Sequence, residues 1–254
     1  MLKISLFILS LISANYALAV TNSIAQDSQK SELIAQVAKT YQASMAYIFQ
    51  NQPLINQQGA DKSQLFGQAF ILNVKNTYET KFNQAFPNQN SPIIKSLIQV
   101  MIEVMESNRT LLYDDDIAFK GFIPAIFAFQ LSEKLSKKNL GVKIKFTSKP
   151  GQIRNQLNQP DFWEIDAMNK VQKLNLESYF DDQASYLSKP AQRYFLPVKM
   201  QPFCLSCHGV SANNPLNAGK PEAQWSNIDR TGFPMENWTL KDFGGGISIT
   251  FFDK

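Results

Sequence analysis

The sequence has very few of the side chains that carry thiol and imidazole chemistry: two cysteines and one histidine in 254 residues. Two cysteines allow at most one disulfide. A single histidine excludes bis-histidine ligation within one chain. Three Cys and His residues also fall short of the four ligands of a structural zinc site. Basic clusters are missing as well. The formal net charge is +4 and the Lys and Arg residues are scattered, so nucleic-acid binding is not expected. Beyond the N-terminus no stretch approaches the ~20 apolar residues that span a bilayer, and there is no internal repeat.

What is present begins with MLKISLFILSLISANYALAV. Lys3 gives a positive start, Ile4 to Ile12 a short apolar run, and Ala17-Leu18-Ala19 a small-residue cleavage site. This is the pattern of a secretory signal removed after Ala19, and it predicts an exported, periplasmic chain with no integral span after cleavage; the alternative is an uncleaved membrane anchor, for which the apolar run is shorter than the ~20 residues of a spanning helix. No cysteine follows the cleavage site, which excludes lipid attachment there. The chain then divides into residues 1–19 (signal), 20–90 (linker and N-terminal helices) and 91–254 (main domain, expected to form one compact unit with the helices).

Leu33, Val37, Tyr41, Met45 and Ile48 recur every three or four residues. This apolar stripe predicts a helix over Ser31 to Gln52, ended by Pro53. A second helix, capped by Ser63 and running to about Phe82, would complete a helical hairpin. Ser91-Pro92 opens a third, to about Glu106, and a fourth begins at Pro124. From Gly141 the period changes: Val142, Ile144 and Phe146 alternate with polar residues as in a half-buried strand. Asp161 and Glu164 have the spacing of a capping box. Arg193 to Met200 and the ISITFF segment after Gly244-Gly245-Gly246 read as strands, with turns and strands expected between Leu176 and Leu187. Helices first and antiparallel strands later make the fold class α+β.

All the thiols and the one imidazole fall within five positions, Cys204-Leu205-Ser206-Cys207-His208. Cysteines this close form a poor staple, because closing so short a loop removes little entropy. C-x-x-C-H in an exported chain is the attachment signature of a c-type haem. The two thiols bond the vinyl groups and the adjacent imidazole takes the iron. The rivals are a thioredoxin-like redox pair, which needs no histidine, a local disulfide, and zinc, which lacks a fourth ligand. If haem binds, its sixth iron position is left to methionine, lysine, another weak group, water or nothing. Met45, Met200 and Met235 are the methionines considered, Met45 and Met235 foremost, beside an open site.

The motifs FKGFIPAIFA (from Phe119), IRNQLNQPDFWE (from Ile153), RYFLPV (from Arg193), CLSCHG (from Cys204), RTGF (from Arg230) and GGGISIT (from Gly244) resemble, in this order, a family of periplasmic PAS-like c-type haem proteins. That family was long described as a domain of unknown function and also occurs as the extracytoplasmic sensor part of some histidine kinases. The resemblance implies a PAS-like antiparallel sheet with flanking helices and one covalent haem c at Cys204, Cys207 and His208. It also implies a redox- or ligand-sensing role. Some relatives take a second axial ligand from a cysteine in their N-terminal helices; this sequence has none there.

Around such a site, Arg154 with Asn155 is a candidate for neutralising a haem propionate, against the simpler role of fixing a turn. Arg193 and Tyr194 are candidates for the haem edge, and Phe122 and Phe127 for its distal face, against ordinary core packing. The function expected is a non-enzymatic sensor of redox state or of a small ligand such as a diatomic gas. The alternatives are an electron carrier between periplasmic partner proteins and a haem enzyme such as a peroxidase. No output domain follows Lys254, so a sensor would signal through a separate partner.

Overall fold

The computed structural model describes residues 29–252; the expected signal sequence and most of the expected linker lie outside them. Helix α1 covers residues 29–50. It buries Val37, Tyr41 and Ile48, with Met45 close behind at 9% exposure. Pro53 does not simply end it: after a one-residue break it occupies the first turn of a short α2, Gln52–Asn56. A proline is tolerated there because its missing N–H has no intrahelical partner.

Ser63 opens a separate 3-10 turn, Ser63–Leu65, and helix α3, Gly67–Phe82, starts beyond it with no side-chain cap. Tyr47 stacks edge-on against Phe70 while Lys39 bonds Gln84, so α1 and α3 run in opposite directions. Helix α4 is Pro92–Ser107 and α6 is Pro124–Ser136, both with proline in the first turn. Between them lies a one-turn helix α5, Arg109–Tyr113, which no apolar periodicity announces. The Tyr41 hydroxyl donates to the Ala128 carbonyl at 2.7 Å and tethers α1 to α6.

The sheet is antiparallel throughout: β1 (Val142–Thr147), β5 (Phe243–Phe252), β4 (Lys189–Lys199) and β2 (Tyr179–Asp181) in that order, with β3 (Ser185–Tyr186) also on β4. Side chains alternate across it. Val142, Ile144, Tyr194, Leu196, Ile247, Ile249 and Phe251 join the core formed by α1, α3, α4 and α6. Phe195 faces the other way, onto Ala167, Met168 and Val171 of helix α7, Phe162–Lys173. Cover on both faces is why β5 is buried almost end to end.

The glycines before ISITFF belong to β5 itself. A Cβ on Gly246 would sit 2.3 Å from the Phe195 ring and 2.8 Å from the Leu196 carbonyl oxygen. Gly245 has φ +110 and lies equally close to the Thr147 backbone. Pro197 lies where β4 has run past β2 and its register against β5 shifts, the setting in which a strand admits proline.

The capping box is formed as its spacing predicts: Asp161 accepts from the Glu164 amide, and Glu164 accepts from the Asp161 amide. Both acids have a second use. Arg193, 1% exposed on β4, meets Asp161 at 2.8 Å and Glu164 at 3.5 Å and lies over the Trp163 ring. Its Nε and Nη2 find no acceptor in hydrogen-bond geometry, so the Asp161 contact is an ion pair only. Lys145 closes the group with a 2.6 Å contact to Glu164.

Candidate functional site

Strand β4 ends at a neck where the Met200 amide donates to the Asp242 carbonyl and the Lys241 amide donates to the Met200 carbonyl. Everything between is one long excursion. Its first part is a 3-10 turn, Pro202–Cys204, which runs directly into the single turn α8, Leu205–His208. Cys204 and Cys207 are three residues apart on this continuous turn, so they lie on one face. Neither forms a disulfide, and both are half-buried. Burial pushes both thiols above the ordinary value. That is the reverse of the activated, low-pKa thiolate of a thioredoxin-like centre. Among the described residues no three His, Cys, Asp or Glu side chains converge as a metal cage.

Gly209 follows the histidine because nothing larger fits. A Cβ there would meet the Leu205 carbonyl oxygen at 2.6 Å and Asn213 Oδ1 at 2.7 Å. The rest of the excursion is irregular but tightly bonded. The buried amides of Asn214 and Asn217 both donate to the Ser226 carbonyl, and Asn214 also reaches that of Ile228. Asp229 accepts from the Thr231 amide and hydroxyl and from the Phe233 amide. These bonds fold the chain back onto the motif. Glu236 Oε2 then lies 2.8 Å from His208 Nδ1. The Trp238 ring stacks on the imidazole, 5.2 Å between centroids and 19° between planes, while its amide donates to the His208 carbonyl. Nδ1 is the only ring nitrogen of His208 with a hydrogen-bond partner among the described residues.

Arg154, on the connection between β1 and α7, holds this arrangement. It donates to Glu236 through Nε (3.0 Å) and Nη2 (2.9 Å), to Asp229 through Nη1 (2.6 Å), and to the Cys207 carbonyl through Nη2 (3.0 Å). Burial alone would lower its pKa, but the two carboxylates outweigh burial and raise it. Burial would raise both acids, but Thr231 and Arg154 outweigh it at Asp229, and His208 and Arg154 at Glu236, so both lie below the usual carboxylate range. The motif also touches the helical layer: the Phe203 ring packs edge-on against Phe49 of α1, and Arg230 lies over Phe119.

The expected site residues are only partly brought together. Cys204, Cys207, His208 and Arg154 form one cluster. Arg154 has its guanidinium taken up by two protein carboxylates rather than left free for a propionate. Asn155 accepts from the Leu157 amide and fixes a local turn. Arg193 and Tyr194 are elsewhere: Arg193 is in the α7 ion cluster, and Tyr194 is in the helical core with burial raising its hydroxyl pKa. Six residues of strand beyond Arg193 are roughly 20 Å of chain before the motif begins. Phe122 and Phe127 are core, stacked edge-on on each other, with Phe127 also against Phe70. Met45 is packed in that same core, and Met235, 4% exposed, immediately precedes Glu236. Glu236, Asp229 and Trp238 were not singled out from the sequence. The only hint was RTGF, which immediately follows Asp229.

An α+β protein whose C-x-x-C-H turn is braced by a returning loop is thus defined by its fold and its site. The Tll0287-like family model matches residues 21–251, and the chain belongs to that family. A solved structure, described as that of the cyanobacterial haem protein Tll0287, is similar at 18% identity. The likeness covers 64% of this chain and 91% of that one, with a TM-score of 0.37. No curated protein matches.

Proposed function

We propose that this protein is an exported, PAS-like c-type haem protein that carries one covalent haem in its C-terminal loop. Cys204 and Cys207 are the attachment points and His208 is the proximal ligand. The supporting observation is the condition of these three side chains: two unpaired thiols on one face of a turn, next to an imidazole held at Nδ1 with Nε2 unpartnered among the described residues. Each thiol would add its S–H across one vinyl group, a step that needs no oxidant and leaves no by-product. Family membership supports the same cofactor, since the solved relative is described as a haem protein.

Once bound, the iron supplies one-electron chemistry and an axial coordination site. The chain's own part is to hold the imidazole edge-on through Glu236, to limit its rotation with Trp238, and to anchor both through Arg154. We assign the haem a sensing role, for redox state or a small ligand, without turnover of a substrate. The chain's only histidine is used on the proximal side and no third cysteine exists, which leaves the sixth position without a strong protein ligand.

The test is maturation in a periplasm competent for haem c assembly. A denaturing gel stained for haem, together with intact mass, should show one haem per chain and no free thiol. An N-terminal peptide beginning at Val20 would establish export. A mature chain with two free thiols, or with zinc, would overturn the assignment.

A further inference from the structure

The acceptor that His208 Nδ1 finds is a full carboxylate with its own fixed position. Glu236 Oε2 is 2.8 Å from Nδ1 and also accepts from Arg154 Nη2, while Oε1 accepts from Arg154 Nε at 3.0 Å. Arg154 is in turn anchored by Asp229, whose side chain is fully buried. Trp238 lies nearly parallel to the imidazole. Two consequences follow. With Nδ1 as the donor, the neutral ring carries its lone pair at Nε2. A carboxylate acceptor also draws on the Nδ1 proton more strongly than a neutral carbonyl does and makes Nε2 the better electron donor. A metal bound at Nε2 is then stabilised in its more oxidised state.

We propose that Glu236 is the positioning residue that sets the reduction potential of this centre, holding it low through the His208 Nδ1 hydrogen bond. The inference rests on haem attachment at Cys204, Cys207 and His208. The carboxylate lowers the potential relative to the same centre with a neutral acceptor at Nδ1.

The experiment is a spectroelectrochemical titration of the holoprotein and its Glu236→Gln and Glu236→Asp variants, with haem content measured on the same samples. Glu236→Gln should shift the Fe(III)/Fe(II) equilibrium towards Fe(II) by at least tenfold, about 59 mV for a one-electron couple. Glu236→Asp, which keeps the charge, should recover part of that shift. An unchanged potential in a fully loaded Glu236→Gln protein overturns the proposal, as does a Glu236→Asp shift as large as that of Glu236→Gln. A wild-type chain that takes up no haem overturns the cofactor assignment instead, and the haem stain separates the two failures. If Glu236→Gln does not mature, a ¹⁵N-histidine label decides in the wild type, because the chain has one histidine. A strongly deshielded Nδ1 proton in the ferrous protein supports the carboxylate bond, and its absence overturns it.

Discussion

Arg154 Nη2 donates to the backbone carbonyl of Cys207 at 3.0 Å, across 53 residues of chain. A side chain from the connection between β1 and α7 thereby fixes the backbone of the C-x-x-C-H turn. It does so while holding Asp229 and Glu236 of the returning loop. Removing it frees three things together: the Cys207 carbonyl, the Glu236 carboxylate and the buried Asp229 carboxylate. Leaving a buried charge without its partner costs about 3 kcal/mol. Arg154→Ala should therefore lower the melting temperature by several degrees and expose the loop from Val210 to Asp242 to proteolysis. Arg154→Lys, which keeps the charge but loses the forked geometry, should fall between. Equal protease resistance in wild type and Arg154→Ala would show that the loop does not depend on this contact.

The α7 ion cluster should be just as sensitive, with no connection to the attachment turn. Glu164 is 1% exposed and answers both Lys145 and Arg193. Its loss leaves Arg193 buried with Asp161 alone. Glu164→Ala should cost about 3 kcal/mol, measured by denaturant unfolding. Haem content of the surviving folded protein should be unchanged, because the cluster shares no contact with Cys204 or Cys207. A drop in haem content at full stability would contradict this separation.

What the sequence revealed follows the reach of each interaction. The Asp161–Glu164 capping box is a three-residue relationship and was visible as spacing. C-x-x-C-H is likewise local. The partners of Arg193 and Tyr194 were not legible because β4 is covered on both faces, so alternation along it carries no information on which side chain meets which layer. The stacked Phe122 and Phe127 looked the same as a ligand-lining pair until their partners were known. Glu236 was out of reach for another reason. It lies 28 residues beyond His208, inside a loop whose path is set by asparagine side chains bonding backbone, and no periodicity records such a path.

Gly246 offers a clean test of the sheet. A methyl group there would meet the Phe195 ring and the Leu196 carbonyl. Backbone cannot yield as a flexible side chain can. Gly246→Ala should cost about 1–3 kcal/mol and lower the unfolding midpoint at unchanged slope. An unchanged midpoint would mean that β4 and β5 are less closely apposed than described.

Acid should loosen the loop in a defined window. Burial alone would raise the Asp229 pKa, but Thr231 and Arg154 outweigh it and hold it below its ordinary 3.8. A carboxyl depressed in the folded protein contributes stability that is complete above the unfolded value and is lost as pH falls through the folded one. Between pH 8 and 6 this group should therefore change nothing. Below about pH 4 the loop should become progressively open to proteolysis, and Asp229→Asn should remove the part of that dependence this carboxyl supplies. The same acid dependence in wild type and Asp229→Asn would assign it elsewhere.

If haem is bound as proposed, the sixth iron position would separate a sensor from a carrier. Met235 immediately precedes Glu236, which occupies the Nδ1 edge of the imidazole. Met45 lies one helical turn before Phe49, whose ring meets Phe203 beside Cys204, so it is on the face of α1 that approaches the motif. Both methionines are packed among other side chains, and a thioether ligand would have to leave that packing to reach iron. The expected result is that the ferrous holoprotein binds CO near neutral pH, seen as a shift of the Soret band. Met45→Ala and Met235→Ala should then bind it no better than wild type. If wild type refuses CO and Met45→Ala accepts it, Met45 is the ligand, the iron is saturated, and electron transfer replaces sensing as the assigned role. If only Met235→Ala accepts it, the same conclusion holds with Met235 as the ligand.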